Sequence, residues 1–223
     1  MTKTQTLSLR IDSRRLGILG LTSTSMILAA MLVTAVAYAG PAGEPYSPLN
    51  HFISELGEIA VSRLAWVFNL SLVAGGAGLG LFLVLLGRRL TARTRTAFLA
   101  FGAVAGVSGT LVGVFPMDYH VIHRVVADLF FMTGWIVAGT FSLWLVSARR
   151  AGFPRWLAAI GPVVGTISLA FIAVYSTYHP TNPDAAVIDR PDIWAVPVLE
   201  WASLLSLLAW FVCVSAVLLS EAD

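Results

Sequence analysis

Apolar positions along the chain gather into six long runs, at about 16–39, 64–87, 97–115, 125–147, 157–177 and 195–219, with short polar connections between them. A helix needs about 20 mostly apolar residues to cross a hydrocarbon layer about 30 Å thick. Backbone groups in lipid find no water to bond and must bond internally, so each run is expected to be α-helical. The pattern predicts an all-α, six-transmembrane bundle forming a single integral membrane domain over residues 1–223. Composition agrees. Hydrophobic residues make up 57% of the chain and charged residues 12%, against about 25% charged in a soluble domain. Mean hydropathy is +0.83, so the lipid bilayer is the expected solvent for most of the surface.

The first run follows Lys3, Arg10, Arg14 and Arg15 and ends near Ala37-Tyr38-Ala39, a pattern shared with secretory signals. Its apolar part exceeds the core of about 7–15 residues typical of a signal, and a retained helix is the expectation. A lone cysteine, Cys213, lies inside an apolar run, which excludes a disulfide scaffold. The net charge of +2 comes from segregated charges rather than a basic patch, so no nucleic-acid partner is expected.

That segregation sets an orientation. Lys3, Arg10, Arg14, Arg15, Arg88, Arg89, Arg93, Arg95, Arg149, Arg150 and Arg155 fall on one side of the six runs, and only Arg63, Arg124 and Arg190 on the other. The excess marks the cytoplasmic side, which places both termini in the cytoplasm of a multi-pass protein of the cell membrane. All four histidines, His51, His120, His123 and His179, then fall at the outer end, as do most of the acids. A site, if present, is expected to open outward.

The first outer loop, 40–63, predicts an amphipathic helix. Ser47-Pro48 is a cap and first-turn pair, and Leu49, Phe52, Ile53, Leu56, Ile59 and Ala60 recur at helical spacing opposite His51, Ser54, Glu55 and Glu58. Such a helix lies at the interface or dips into the bundle mouth. In the second loop, His120 and His123 share one helical face beside Asp118, a combination able to hold a metal or simply to anchor at the interface. The third loop, 178–194, opens with Tyr178-His179-Pro180, and its prolines favour an extended lid. Its charges Asp189, Arg190 and Asp192 read as solvated.

Three polar residues lie deeper: Asn69, Asp128 and Glu200. Ionisable groups inside membrane helices usually face the bundle interior and mark function. Arg124 is placed to pair with Asp128, whereas Glu200 has no such neighbour in its own helix. With Tyr178, these three form the expected ligand-binding set. Gly102, Gly106, Gly109 and Gly113 stripe the third helix and admit a neighbour's backbone, which suggests a central position for that helix.

Ser47-Pro48, Ile53-Ser54-Glu55-Leu56-Gly57-Glu58 and Gly113-Val114-Phe115-Pro116-Met117-Asp118, with His123 downstream, resemble the multi-pass prokaryotic membrane proteins of domain-of-unknown-function family 998. The resemblance spans essentially the whole chain and implies a six-helix membrane protein with no established activity. A more distant similarity is to the ceramidase and adiponectin-receptor hydrolases, which combine a serine, an aspartate and three zinc-binding histidines. Ser54, Asp118 and the set His51, His120, His123 and His179 offer those residue types, although the chain has six runs rather than seven and no His-x-x-x-His pair in the last. Three functions follow. One is binding of a lipid, small ligand or ion at an outward His/carboxylate cluster. Another is a metal-dependent hydrolase of an amide or ester lipid, with Zn²⁺ on the histidines and Asp118, Glu55 or Ser54 in catalysis. The third is a structural or partner-binding subunit.

Overall fold

The computed structural model of the chain describes residues 12–147, 153–177 and 190–221. Six α-helices account for most of them: α1 Ser13–Ala37, α2 Ala65–Gly87, α3 Ala92–Val114, α4 His120–Ser147, α5 Ile160–Thr177 and α6 Ala195–Ser220. No strand occurs among the described residues, and all six helices are long and apolar enough to cross a membrane. Helix ends follow local chemistry. Asp12 caps α1 by accepting from the Arg14 N–H at 3.2 Å, and the chain turns extended at Tyr38. Helix α3 starts five residues earlier than its apolar run because Arg93, Thr94 and Arg95 form a polar first turn. The Arg95 guanidinium folds back onto the carbonyl oxygens of Arg88 and Leu90.

Each helix packs against the next in the chain, and α6 packs against α1, so the bundle closes as a ring. Helix α4 also touches α6 directly, which leaves α5 in the groove between them. The Ser168 and Ser203 hydroxyls bond at 2.8 Å and tie α5 to α6. Phe82, Phe98, Phe141 and Trp210 are fully buried, with the Phe141 and Trp210 rings edge-on at 5.6 Å.

Helix α3 is not central, contrary to what its glycines suggest. Only 28% of its most apolar stretch is buried, against 56% for α6. The glycines serve one seam rather than all sides. A Cβ on Gly106 would stand 2.6 Å from the Gly80 Cα, so here α2 and α3 touch backbone to backbone. Small residues measure how close one partner comes, and not how many partners a helix has.

The first loop also departs from expectation. In place of an α-helix from Ser47, a single turn closes through the His51 N–H to the Ser47 carbonyl at 2.9 Å, followed by a 3₁₀ helix, Ile53–Gly57. Ile53, Glu55, Leu56 and Gly57 are all buried, so this segment dips into the bundle mouth rather than lying on its surface. Segments 38–64, 115–119 and 190–194 meet at that end, and 88–91 and 153–159 lie at the other.

Candidate functional site

The mouth is organised around the Glu55 carboxylate, whose side chain is only 4% exposed. Its Oε1 accepts from the Phe52 N–H at 2.8 Å and from the Arg190 guanidinium at 2.9 Å, and its Oε2 accepts from the Tyr38 hydroxyl at 3.3 Å. The same guanidinium donates to the Asn50 carbonyl at 3.2 Å. The Asn50 amide in turn reaches the Pro191 carbonyl, and the Trp194 N–H reaches the Leu49 carbonyl. Burial opposes the Arg190 charge, but the bonded Glu55 outweighs it and holds the guanidinium above its usual range. Burial, reinforced by Glu55, pushes the Tyr38 phenol upward as well.

An aromatic cage stands beside this pair. His51 is buried against Tyr46, ring centroids 5.1 Å apart, and against Tyr38 at 5.5 Å. The Tyr46 hydroxyl donates to the Phe52 carbonyl at 2.9 Å and accepts from the Trp201 indole at 3.0 Å. The His51 Nδ1 lies 2.8 Å from the Asn50 Oδ1, and its Nε2 is buried without a partner among the described residues. Burial lowers the pKa of this imidazole, with Glu55 acting in the opposite sense.

Behind the mouth, the 3₁₀ helix is held from three sides. Glu200, buried near the start of α6, accepts from the Ile53 N–H at 2.8 Å through Oε2. The Asn69 amide donates to the Gly57 carbonyl at 2.8 Å. Asp118 clamps the following turn by accepting from the Ile59 and Ala60 N–H groups at 2.8 and 3.2 Å. Glu58 sits among like charges; burial first, then Glu55 and Asp118, raises its pKa above the ordinary glutamate range.

Beneath this plug lies a cavity of ≈ 90 Å³ lined by α1, α2, α3, α4 and α6 and by the 3₁₀ helix, but not by α5. Among the described residues its walls are apolar side chains and glycines except for Ser54, His123 and Glu200. On α2 the lining runs from Phe68 to Leu83, about 22 Å at the rise of an α-helix. The space is therefore long and narrow. The His123 Nδ1 is 2.8 Å from the Phe115 carbonyl. A carbonyl only accepts, so Nδ1 donates, and in the neutral ring Nε2 is left as an acceptor.

The sequence-predicted residues thus divide. Ser54, Glu55, His123 and Glu200 enter the mouth or the cavity wall, and Asn69, Asp118 and His51 brace the loops. Asp128 pairs with Arg124 at 3.9 Å, as its spacing suggests, and lies outside the cavity lining with its side chain 42% exposed. His120 is exposed. Tyr178 and His179 lie outside the described residues. Among the described residues no three His, Cys, Asp or Glu side chains come together as a metal-holding group. His51 is caged by tyrosines and the His123 Nδ1 is bonded to a carbonyl, while His179, the fourth histidine of the alternative Zn²⁺ reading, lies outside the described residues. Sequence reasoning missed Arg190, which it placed in solvent, along with Tyr38 and Trp201 in the cage. Arg190 and Trp201 find partners 135 and 155 positions away, so no local pattern marks them, whereas Tyr38 meets Tyr46, His51 and Glu55 in the adjoining loop.

The family described as "Protein of unknown function (DUF998)" matches residues 26–217, from the middle of α1 almost to the end of α6. Neither a curated protein nor a solved structure matches the chain.

Proposed function

The chain belongs to the DUF998 family, and from that premise we propose that it is a polytopic membrane protein that accommodates a slender apolar molecule, a single acyl or polyprenyl chain, inside its helix ring, whose apolar walls part to widen the ≈ 90 Å³ space as the chain enters. The observation that carries this reading is the cavity: long, narrow, walled by apolar groups from five helices, and polar only at the Ser54, His123 and Glu200 positions. Ligand sites in membrane and soluble proteins share this make-up, an apolar wall with few polar groups that fix orientation. A compact polar metabolite would leave its hydrogen bonds unmet along such walls, at a cost for each unmet group. A hydrocarbon chain has none to lose.

Hexadecanol added to the purified chain in neutral nanodiscs is the direct probe, followed by native mass spectrometry. Ala105 is 5% exposed and lines the cavity. Ala105→Phe is expected to weaken hexadecanol binding about tenfold or more, because an added ring cannot share so small a space without strain. Leu143→Phe, on the outer face of α4, is the control and should bind as the parent does. Equal binding by Ala105→Phe and the parent would remove the cavity as the site.

We further propose that the mouth faces away from the cytoplasm, with both chain ends in the cytoplasm. Support comes from the excess of Lys and Arg at the end opposite the mouth. In a Cys213→Ala background, a cysteine introduced at the exposed Ala42 is expected to react with an impermeant maleimide on intact cells. Reaction only after the membrane is opened would reverse the orientation.

A further inference from the structure

The polar side chains of the cavity wall share one property, and it bears on the head of the bound molecule. All three can accept hydrogen bonds. Glu200 engages the Ile53 N–H through Oε2, and its Oε1 has no hydrogen-bond partner among the described residues. The side chain is nevertheless buried, 8% exposed, and lines the cavity. The His123 Nδ1 is committed to the Phe115 carbonyl, which directs the acceptor lone pair of the neutral ring to Nε2. The Ser54 hydroxyl makes only a long contact, 3.5 Å, with the Met117 sulfur. No Lys or Arg among the described residues lines the cavity, and the guanidinium of Arg190, at the mouth, is bonded to Glu55 and the Asn50 carbonyl.

We propose that this cavity takes a long-chain amine, whose ammonium head binds the Glu200 carboxylate, and that it rejects a chain with an anionic head. The inference rests on the apolar-chain reading above and specifies its ligand class. A carboxylate buried in apolar surroundings is costly unless a cation or several donors meet it. Within the wall Glu200 receives one donor. An ammonium supplies three donors and no acceptor, which complements a wall of acceptors. A phosphate or carboxylate head would add a second acidic group beside Glu200, with no Lys or Arg among the described residues of the wall to offset it. His123 and Ser54, on different walls from Glu200, offer further acceptors to donors carried on the same head.

Hexadecylamine, hexadecanol and palmitate share one chain length and differ in the head, so their binding to the full-length protein in neutral nanodiscs separates chain from head. The expected order is amine, alcohol, palmitate, with the amine bound about tenfold or more tighter than the alcohol through a charge-assisted hydrogen bond. Glu200→Gln keeps an oxygen for the Ile53 N–H and is expected to bring the amine down to the alcohol's affinity while alcohol binding is unchanged. The order in the unmodified protein needs no variant, so a misfolded Glu200→Gln would leave the test intact. Equal binding of amine and alcohol, or an amine preference that survives Glu200→Gln, would overturn the head-group inference alone. Failure of all three probes to bind would overturn the chain-binding reading and this inference with it.

Discussion

Glu55→Gln and Arg190→Met are each expected to lower the stability of the chain by about 3–5 kcal/mol, and the double substitution by clearly less than the sum. The two side chains are 4% and 9% exposed and 2.9 Å apart. Removing either charge takes from the other its bonded counter-charge in a place that water hardly reaches. Removing both takes away the attraction and that imbalance together. The neighbouring bonds make the cycle informative. Glu55→Gln retains an oxygen for the Phe52 N–H, and in Arg190→Met the intact Glu55 keeps both that N–H and the Tyr38 hydroxyl. Denaturant unfolding of the purified protein in a fixed detergent, read by circular dichroism, gives the four corners of the cycle. Additive losses would show that the two charges act independently, against the geometry.

The second large effect concerns the seam between α2 and α3. Gly106→Val is expected to cost about 3 kcal/mol or more, at or beyond the upper end of overpacking penalties. The reason is the identity of the obstructing atom. A Cβ on Gly106 meets the Gly80 Cα at 2.6 Å, and backbone cannot swing aside as a side chain can. The two helices must separate and lose their close contact along several turns. Gly139 on α4 offers the opposite case, since a Cβ there meets nothing within 4 Å. Gly139→Ala should be neutral or stabilising by about 0.5–1 kcal/mol through reduced freedom of the unfolded chain. The same unfolding measurement checks both, and equal effects at the two positions would remove the seam as the cause.

The helices were legible in the sequence because their requirement is local: enough consecutive apolar residues to satisfy a lipid solvent. The main errors in their ends, at the starts of α3 and α4, five residues early in each case, came from counting only apolar residues, since the first turns at 93–95 and 120–124 are helical without being greasy. The pairing of Arg124 with Asp128 was legible for a similar reason, being a property of spacing within one helix. Glu200 could be singled out as lacking a partner in its own helix, although its partner, a backbone N–H at Ile53, could not be named. Arg190 is the instructive miss. In a loop of prolines and acids it has the profile of a solvated charge, and it is the fold that carries it to Glu55, 135 positions away. The cavity was invisible as well. Its walls are ordinary membrane-helix residues, and an empty space is a property of how five helices meet.

The bonds that seal the mouth join residues far apart in the chain. Glu55 meets Arg190 across 135 positions, and Ile53 meets Glu200 across 147. Helix α1 likewise needs α6 to complete the ring. During synthesis, therefore, the plug segment is delivered after the first helix but stays untethered to Arg190 and Glu200 until the ribosome has passed those positions. A truncated product ending before residue 190 would possess most of the hydrocarbon walls and neither of those latches, leaving a greasy, unsealed intermediate for the quality-control machinery of the membrane to recognise.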